Sequence, residues 1–279
     1  MIRRLLLTFC ILLICSPVFA ATDYTAHANN MMSLLMRADE NPLTDSSGEG
    51  NTGALKAAGE PNYTTDVPTG YVEGSYDFDG TDDYVSVTDD PTLDIIGDLT
   101  VTFWCLIDTI SADEDIMFDK EDSGTGDEPF LVSVDDDGTA YWRYYHHENG
   151  GDYNAVLTFT NQAVTTGAWQ HIAYVRNATN RTIDLYINGV DVEQETWTAG
   201  DDPGPSSSNL KIGQATNDAR AYDGHLKEVG LFNTVLTSTQ INEIMDFGLD
   251  GSLDVATTKF RKTLSSIGTG TGKRQMVGN

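Results

Sequence analysis

Apolar and polar residues alternate with a period of two through most of this chain. That period, repeated between closely spaced turn signals, admits little besides an antiparallel β architecture. In LTVTFWCLID, Leu99, Val101, Phe103, Cys105 and Ile107 alternate with Thr100, Thr102, Trp104 and Leu106. In TIDLYINGVDVEQE, Ile183, Leu185 and Ile187 lead into Asn188-Gly189, after which Val190 and Val192 follow. Asn and Gly both tolerate the positive φ of a type I′ turn, so this stretch reads as a hairpin. A second hairpin is expected in FLVSVDDDGTAYWRYY, turning near Asp137-Gly138. One segment reads as a helix: TSTQINEIMDFG, with Thr237 and Gln240 as a capping box and Gly248 as the stop. The expected fold is all-β, an antiparallel two-sheet sandwich or jelly roll with one short helix after the last strand and a flexible tail.

The first twenty residues read as a cleaved secretory signal. Arg3 and Arg4 precede an apolar run from Leu5 to Ile14, and Val18 and Ala20 supply the small residues a signal peptidase needs. Bulky Ile14 before Cys15 argues against lipidation. The expected location is therefore secreted, extracellular or cell-surface, or periplasmic in a bacterium. No integral membrane segment is expected after cleavage. Of the Cys 3, only Cys105 lies beyond the signal; a lone thiol among large apolar residues reads as a buried small hydrophobe, and no internal disulfide can form. Lys+Arg 16 against Asp+Glu 43 gives a formal net charge of −27, which repels nucleic acid and anionic membranes. Residues 21–248 read as one domain. Beyond Gly248 the chain loses large apolar residues and gains Lys259, Arg261, Lys262, Lys273 and Arg274, so residues 249–279 read as a basic tail able to support self-association. Its GTGTGKR lacks the spacing of a phosphate loop.

Four segments in order carry a family resemblance: SYDFDGTDDYVSVTDDPTLDI, LTVTFWCLID, TGAWQHIAYVRNATNRTIDLYINGVDV and NLKIGQATNDARAYDGHLKEVGLFNTVLTSTQINEI. In that order the chain resembles the LamG-like domains of the laminin G and concanavalin A-like lectin/glucanase superfamily. The resemblance implies two stacked antiparallel sheets, an antiparallel two-sheet jelly-roll sandwich, serving as a binding or adhesion module. It also implies a structural Ca²⁺ held by the loop DSSGEGNTG. Asp45 and Asn51 would supply loop oxygens, Asp39 or Glu40 the first strand's ligand, and Glu228 the last strand's. Backbone carbonyls and waters would complete six to eight oxygens. The same loop reads equally as an Asx turn, and Lys227 stands where the family places an acidic residue.

Candidate ligand contacts come from ring faces and planar polar groups, which grip sugars. The densest cluster is Trp142, Tyr144, Tyr145, His146, His147 and Asn149, with Trp197 as a second candidate. Alternation puts Trp142, Tyr144 and His146 on one face and Tyr145 and His147 on the other, one of these faces being core. No strand carries the alternating carboxylates of a jelly-roll glycosidase. The acidic runs ADEDIMFDKED and VDDDG read as turns, and His171 as a structural histidine. No catalytic residues are assigned. The expected function is a secreted module binding an extracellular glycan or surface protein. Two alternatives stay open: a structural subunit of an extracellular layer, filament or particle, and a polysaccharide hydrolase or lyase.

Overall fold

The computed structural model describes residues 43, 45–57, 60–71, 74–112, 114–122, 127–136, 138–147, 155–217 and 220–249, and the backbone of 32–36. The signal segment, Asp39, Glu40, Asn149 and the tail from residue 250 lie outside the described residues. The described strands form two antiparallel sheets. One runs, in spatial order, β13 (Val190–Thr196), β12 (Thr182–Ile187), β11 (Gln170–Asn177), β6 (Leu99–Ile107), β15 (Asp223–Phe232), β4 (Ser75–Asp79) and β3 (Asn62–Thr64). β1 (Met32–Met36) joins it by pairing with the second half of β15, whose first half pairs with β4. The other sheet runs β10 (Ala155–Ala163), β9 (Ala140–His147), β8 (Glu128–Asp136), β7 (Asp115–Asp119), β14 (Leu210–Ile212), β5 (Val85–Val87) and β2 (Gly53–Leu55). The expected jelly-roll sandwich is the observed fold.

Strand alternation builds the core. Phe103 and Cys105 of β6, Ile172 and Tyr174 of β11, and Leu226 and Leu231 of β15 face Phe130, Val132, Trp142 and Tyr144 of the other sheet. The Cys105 thiol is buried, and burial pushes its pKa far upward, as suits a packing residue. His171 sits in β11 with Nε2 2.9 Å from Thr102 Oγ1, buried as a structural residue.

The turn chemistry is as expected. Asn188 and Gly189 adopt φ of 50° and 76° between β12 and β13. The hairpin joining β8 to β9 turns through Gly138 at φ 110°. The helix α1 (Ser238–Phe247) starts with Thr237 accepting from the Gln240 backbone while the Gln240 side chain accepts from the Thr237 N–H, and it stops at Gly248. Ile241 and Ile244 pack the helix on Ala173, Val175 and Tyr186, covering part of the outer face of the eight-stranded sheet.

One expectation is overturned. The run ADEDIMFDKED is not a turn: its centre is β7, buried at every position. The charges at its C-terminal end are satisfied internally. Asp119 accepts from the backbone of Glu121 and Thr216, and buried Lys120 donates to Asp89 and to the carbonyls of Ser206 and Ser208. The flanking charges disguise a three-residue apolar strand centre, Ile116-Met117-Phe118, that the neighbouring strands bury.

A candidate glycan groove on the seven-stranded sheet

The aromatic segment of β9 divides between two faces as alternation requires. Trp142 and Tyr144 enter the core, and His146 follows them, its ring 4.7 Å from that of Trp197 and its Nε2 2.9 Å from the Asp201 carbonyl. Burial holds His146 down at about 3, so it is neutral at physiological pH. Trp197 is only 7% exposed, with Nε1 donating to Asp202, so it closes an end of the core and does not stand out as a free platform. As placed, Trp142, Tyr144, His146 and Trp197 offer no ring face to solvent. Their large rings fill the space between the sheets.

Tyr145 and His147 point the other way. On this outer face Tyr145 packs with Ile116, Leu131 and Ala215, a small apolar floor separate from the core. The strand register aligns Leu131 of β8 and Val156 of β10 on either side of Tyr145, and Ser133 opposite Arg143. A groove of about 300 Å³ runs over this floor, lined by Glu114, Leu131, Arg143, Tyr145, Val156 and Arg220. Its polar groups are tied to one another. Arg143 donates to the Tyr145 hydroxyl at 3.1 Å and pairs with Asp135. Glu114 accepts from Arg220 at 2.9 Å and from the Ser133 hydroxyl at 2.5 Å. The Nε of Arg143 has no hydrogen-bond partner among the described residues. Burial raises the Tyr145 pKa, which keeps its hydroxyl neutral. Two guanidinium groups against two carboxylates leave the groove without excess charge but dense in planar donors and acceptors.

His147 lies further along this face, 3.2 Å from Glu128 of β8. Burial pushes Glu128 up to about 8, and the pair sits closed off from solvent. Of the residues singled out in the sequence, only Tyr145 lines the groove. Arg143, Glu114 and Arg220 carry no motif, since they converge from β9, from just before β7 and from just before β15.

Of the residues expected to hold calcium, Asp45, Asn51 and Glu228 lie among the described residues, and each is engaged with protein partners. Both oxygens of Asp45 serve their own loop, accepting from the Ser47 backbone and hydroxyl and from the Asn51 backbone. The Asn51 amide donates to Thr92 at 2.9 Å. Glu228, in left-handed backbone at φ 53°, accepts from the Leu249 N–H, and its other oxygen lies 3.6 Å from the Lys227 ammonium. Lys227 is buried, donates to the Gly74 carbonyl and stacks 5.1 Å over the Tyr71 ring. A carboxylate facing a buried ammonium already has its charge compensated, and this arrangement does not fit a divalent cation at Glu228.

A family model for the concanavalin A-like lectin/glucanases superfamily, of laminin G type, matches residues 79–242. The chain belongs to this superfamily. No curated protein sequence matches it. Among solved structures, Domain 4 of AbnA, a GH43 extracellular arabinanase from Geobacillus stearothermophilus, in complex with arabinotriose, is similar at 17% identity and TM-score 0.58, over 77% of this chain and 99% of that one. The binding domain of Paraclostridial Mosquitocidal Protein 1 is similar at 14% identity and TM-score 0.59, over 78% of this chain and 52% of that domain. The ligand binding domain of botulinum neurotoxin serotype D, in complex with N-acetylneuraminic acid, gives 16% identity and TM-score 0.59, over 80% and 52%. This superfamily member thus spans about half of each toxin domain. At such identities the likeness is one of fold. Among the described residues no helix is long and apolar enough to cross a membrane.

Proposed function

We propose that this chain is a secreted binding module for an uncharged oligosaccharide, which it takes in the groove over Tyr145. The observation that carries the reading is the groove's composition: an apolar floor with one aromatic ring, edged by two arginines whose charges are already matched by Glu114 and Asp135. Sugars present apolar C–H faces to such a floor and several hydroxyls to planar donors and acceptors. An acidic ligand would need an unmatched cation, which the groove lacks. Binding is favoured over hydrolysis because each groove carboxylate is engaged with an arginine, whereas glycoside cleavage uses one protonated carboxyl and one free carboxylate. The binding domains among the structural neighbours, including one holding arabinotriose, agree with this reading.

The test is a screen of neutral oligosaccharides, arabinotriose among them, with sialyllactose as the acidic comparison, followed by calorimetry on the wild type, Arg143→Gln and Tyr145→Phe. A neutral sugar should bind, and Arg143→Gln should weaken it about tenfold or more, since a hydrogen bond to a charged donor contributes about 1.5–3 kcal/mol. Binding that neither substitution changes would move the site elsewhere on the molecule.

A further inference from the structure

A second constellation lies on the opposite sheet and owes nothing to the groove. Asp77 of β4 and His225 of β15 are direct cross-strand partners, and Asp108 immediately follows β6 on the far side of β15. Tyr76, Phe78, Ile107 and Leu226 turn into the core, so alternation places Asp77, Asp108 and His225 together on the outer face.

Their geometry is not that of hydrogen bonding. His225 Nε2 stands 3.8 Å from Asp77 Oδ1 and 3.6 Å from Asp108 Oδ2, beyond the roughly 2.7–3.2 Å of an N–H···O bond. The three ligand atoms all lie within 4.8 Å of one another. Ligands bonded at about 2.1 Å to one tetrahedral ion are separated by about 3.4 Å, close to the two distances measured from His225. The other ring nitrogen, Nδ1, is buried with no hydrogen-bond partner among the described residues. The imidazole is therefore placed beside two carboxylates by packing, with the Trp169 ring centroid 5.9 Å away, and not by a hydrogen bond of its own. Trp169 is fixed in turn by Nε1 donating to Asp66.

A comparison within the molecule sharpens the point. The other cluster of this kind among the described residues, Glu60, Asp82 and Asp83, has a resident cation, because Lys56 pairs with both Glu60 and Asp82. Among the described residues, Asp77 and Asp108 have no lysine or arginine partner; the group facing them is His225, itself a metal ligand when neutral.

We propose that Asp77, Asp108 and His225 bind a first-row divalent transition ion, with its remaining positions open to water. A nitrogen donor beside two carboxylates suits Zn²⁺ better than Ca²⁺, which takes oxygen ligands.

The test uses the secreted chain stripped with chelator and dialysed, titrated with ZnCl₂ and separately with CaCl₂, for the wild type, His225→Gln and Asp108→Asn. The wild type should take up one Zn²⁺ equivalent that millimolar Ca²⁺ does not displace. Each variant should weaken that equivalent at least about tenfold. Co²⁺ added in place of Zn²⁺ should give visible absorption bands that His225→Gln loses. Asp77 and Asp108 are 42% and 45% exposed, so Asp108→Asn should keep the wild-type melting curve; His225 is only 12% exposed, and if His225→Gln does not keep that curve, Asp77→Asn replaces it. Absence of Zn²⁺ uptake, or uptake equal in wild type and variants, overturns the proposal, as does equal affinity for Ca²⁺. None of these outcomes bears on sugar binding, so the two readings fail separately.

Discussion

Arg176 places a guanidinium in the middle of the sandwich with no exposed surface. Its Nε donates to the Gly97 carbonyl at 2.9 Å, Nη1 to the Pro129 carbonyl at 2.6 Å and the Tyr144 hydroxyl at 2.8 Å, and Nη2 to the Ile95 carbonyl. One side chain of β11 thus satisfies buried acceptors on the opposite sheet and on the segment that leads into β6. Buried polar groups are tolerated when fully paired and costly when orphaned. Arg176→Met leaves four acceptors without donors, each worth about 1–3 kcal/mol, so urea unfolding should show a loss of about 3 kcal/mol or more. A loss under about 1 kcal/mol would mean that water replaces the guanidinium. Nothing in AYVRN distinguishes this arginine from a surface one, because its partners are far away in sequence.

Among the elements, β15 decides how the first described strand is joined to the sheet. Its first half pairs with β4 and its second half with β1, and the register shifts between Lys227 and Gly230. That irregularity accommodates the left-handed backbone of Glu228, and the buried Lys227 and Glu228 side chains face each other at 3.6 Å. The described first strand is therefore tied to the last by backbone pairing, while the Lys227–Glu228 ion pair lies within β15 itself. The chelated protein should melt at the same temperature with and without millimolar CaCl₂. A rise on adding CaCl₂ that Asp45→Ala removes would instead establish the Asp45 loop as a calcium site, since a ligand bound only by the native state raises the midpoint by mass action. The helix, by contrast, was legible in full: its capping box and glycine stop involve residues within one turn of each other, and the structure uses both.

At the scale of the whole molecule, buried titratable groups set opposing pH dependences. His146 and His171 are both held down at about 3 by burial, so the unfolded chain binds protons there that the native state refuses. Stability rises with pH between about 3 and 6.5 on their account and is lost on acidification through that window. Glu128, pushed up to about 8 by burial, works the other way: the native state keeps a proton that the unfolded chain releases above about 4.5, so stability falls as pH rises toward 8. The urea midpoint should climb from pH 4 to about 6.5 and decline by pH 8.5, and Glu128→Gln should abolish the decline. A wild-type midpoint that stays level from pH 6.5 to 8.5 would show that the Glu128–His147 pair carries no extra proton. What the sequence determined by itself is local: period-two strands, the Asn188-Gly189 turn, the capped helix, the burial of Cys105, and the two-faced alternation of β9. Each depends on residues a few positions apart, whose spacing fixes the backbone they can adopt. Tertiary structure alone decided which face of β9 would be core, that Arg143, Arg220 and Glu114 would edge one groove, and that Asp77, Asp108 and His225 would meet. Those juxtapositions arise from pairing strands distant in sequence, and no local pattern encodes the register that brings them together.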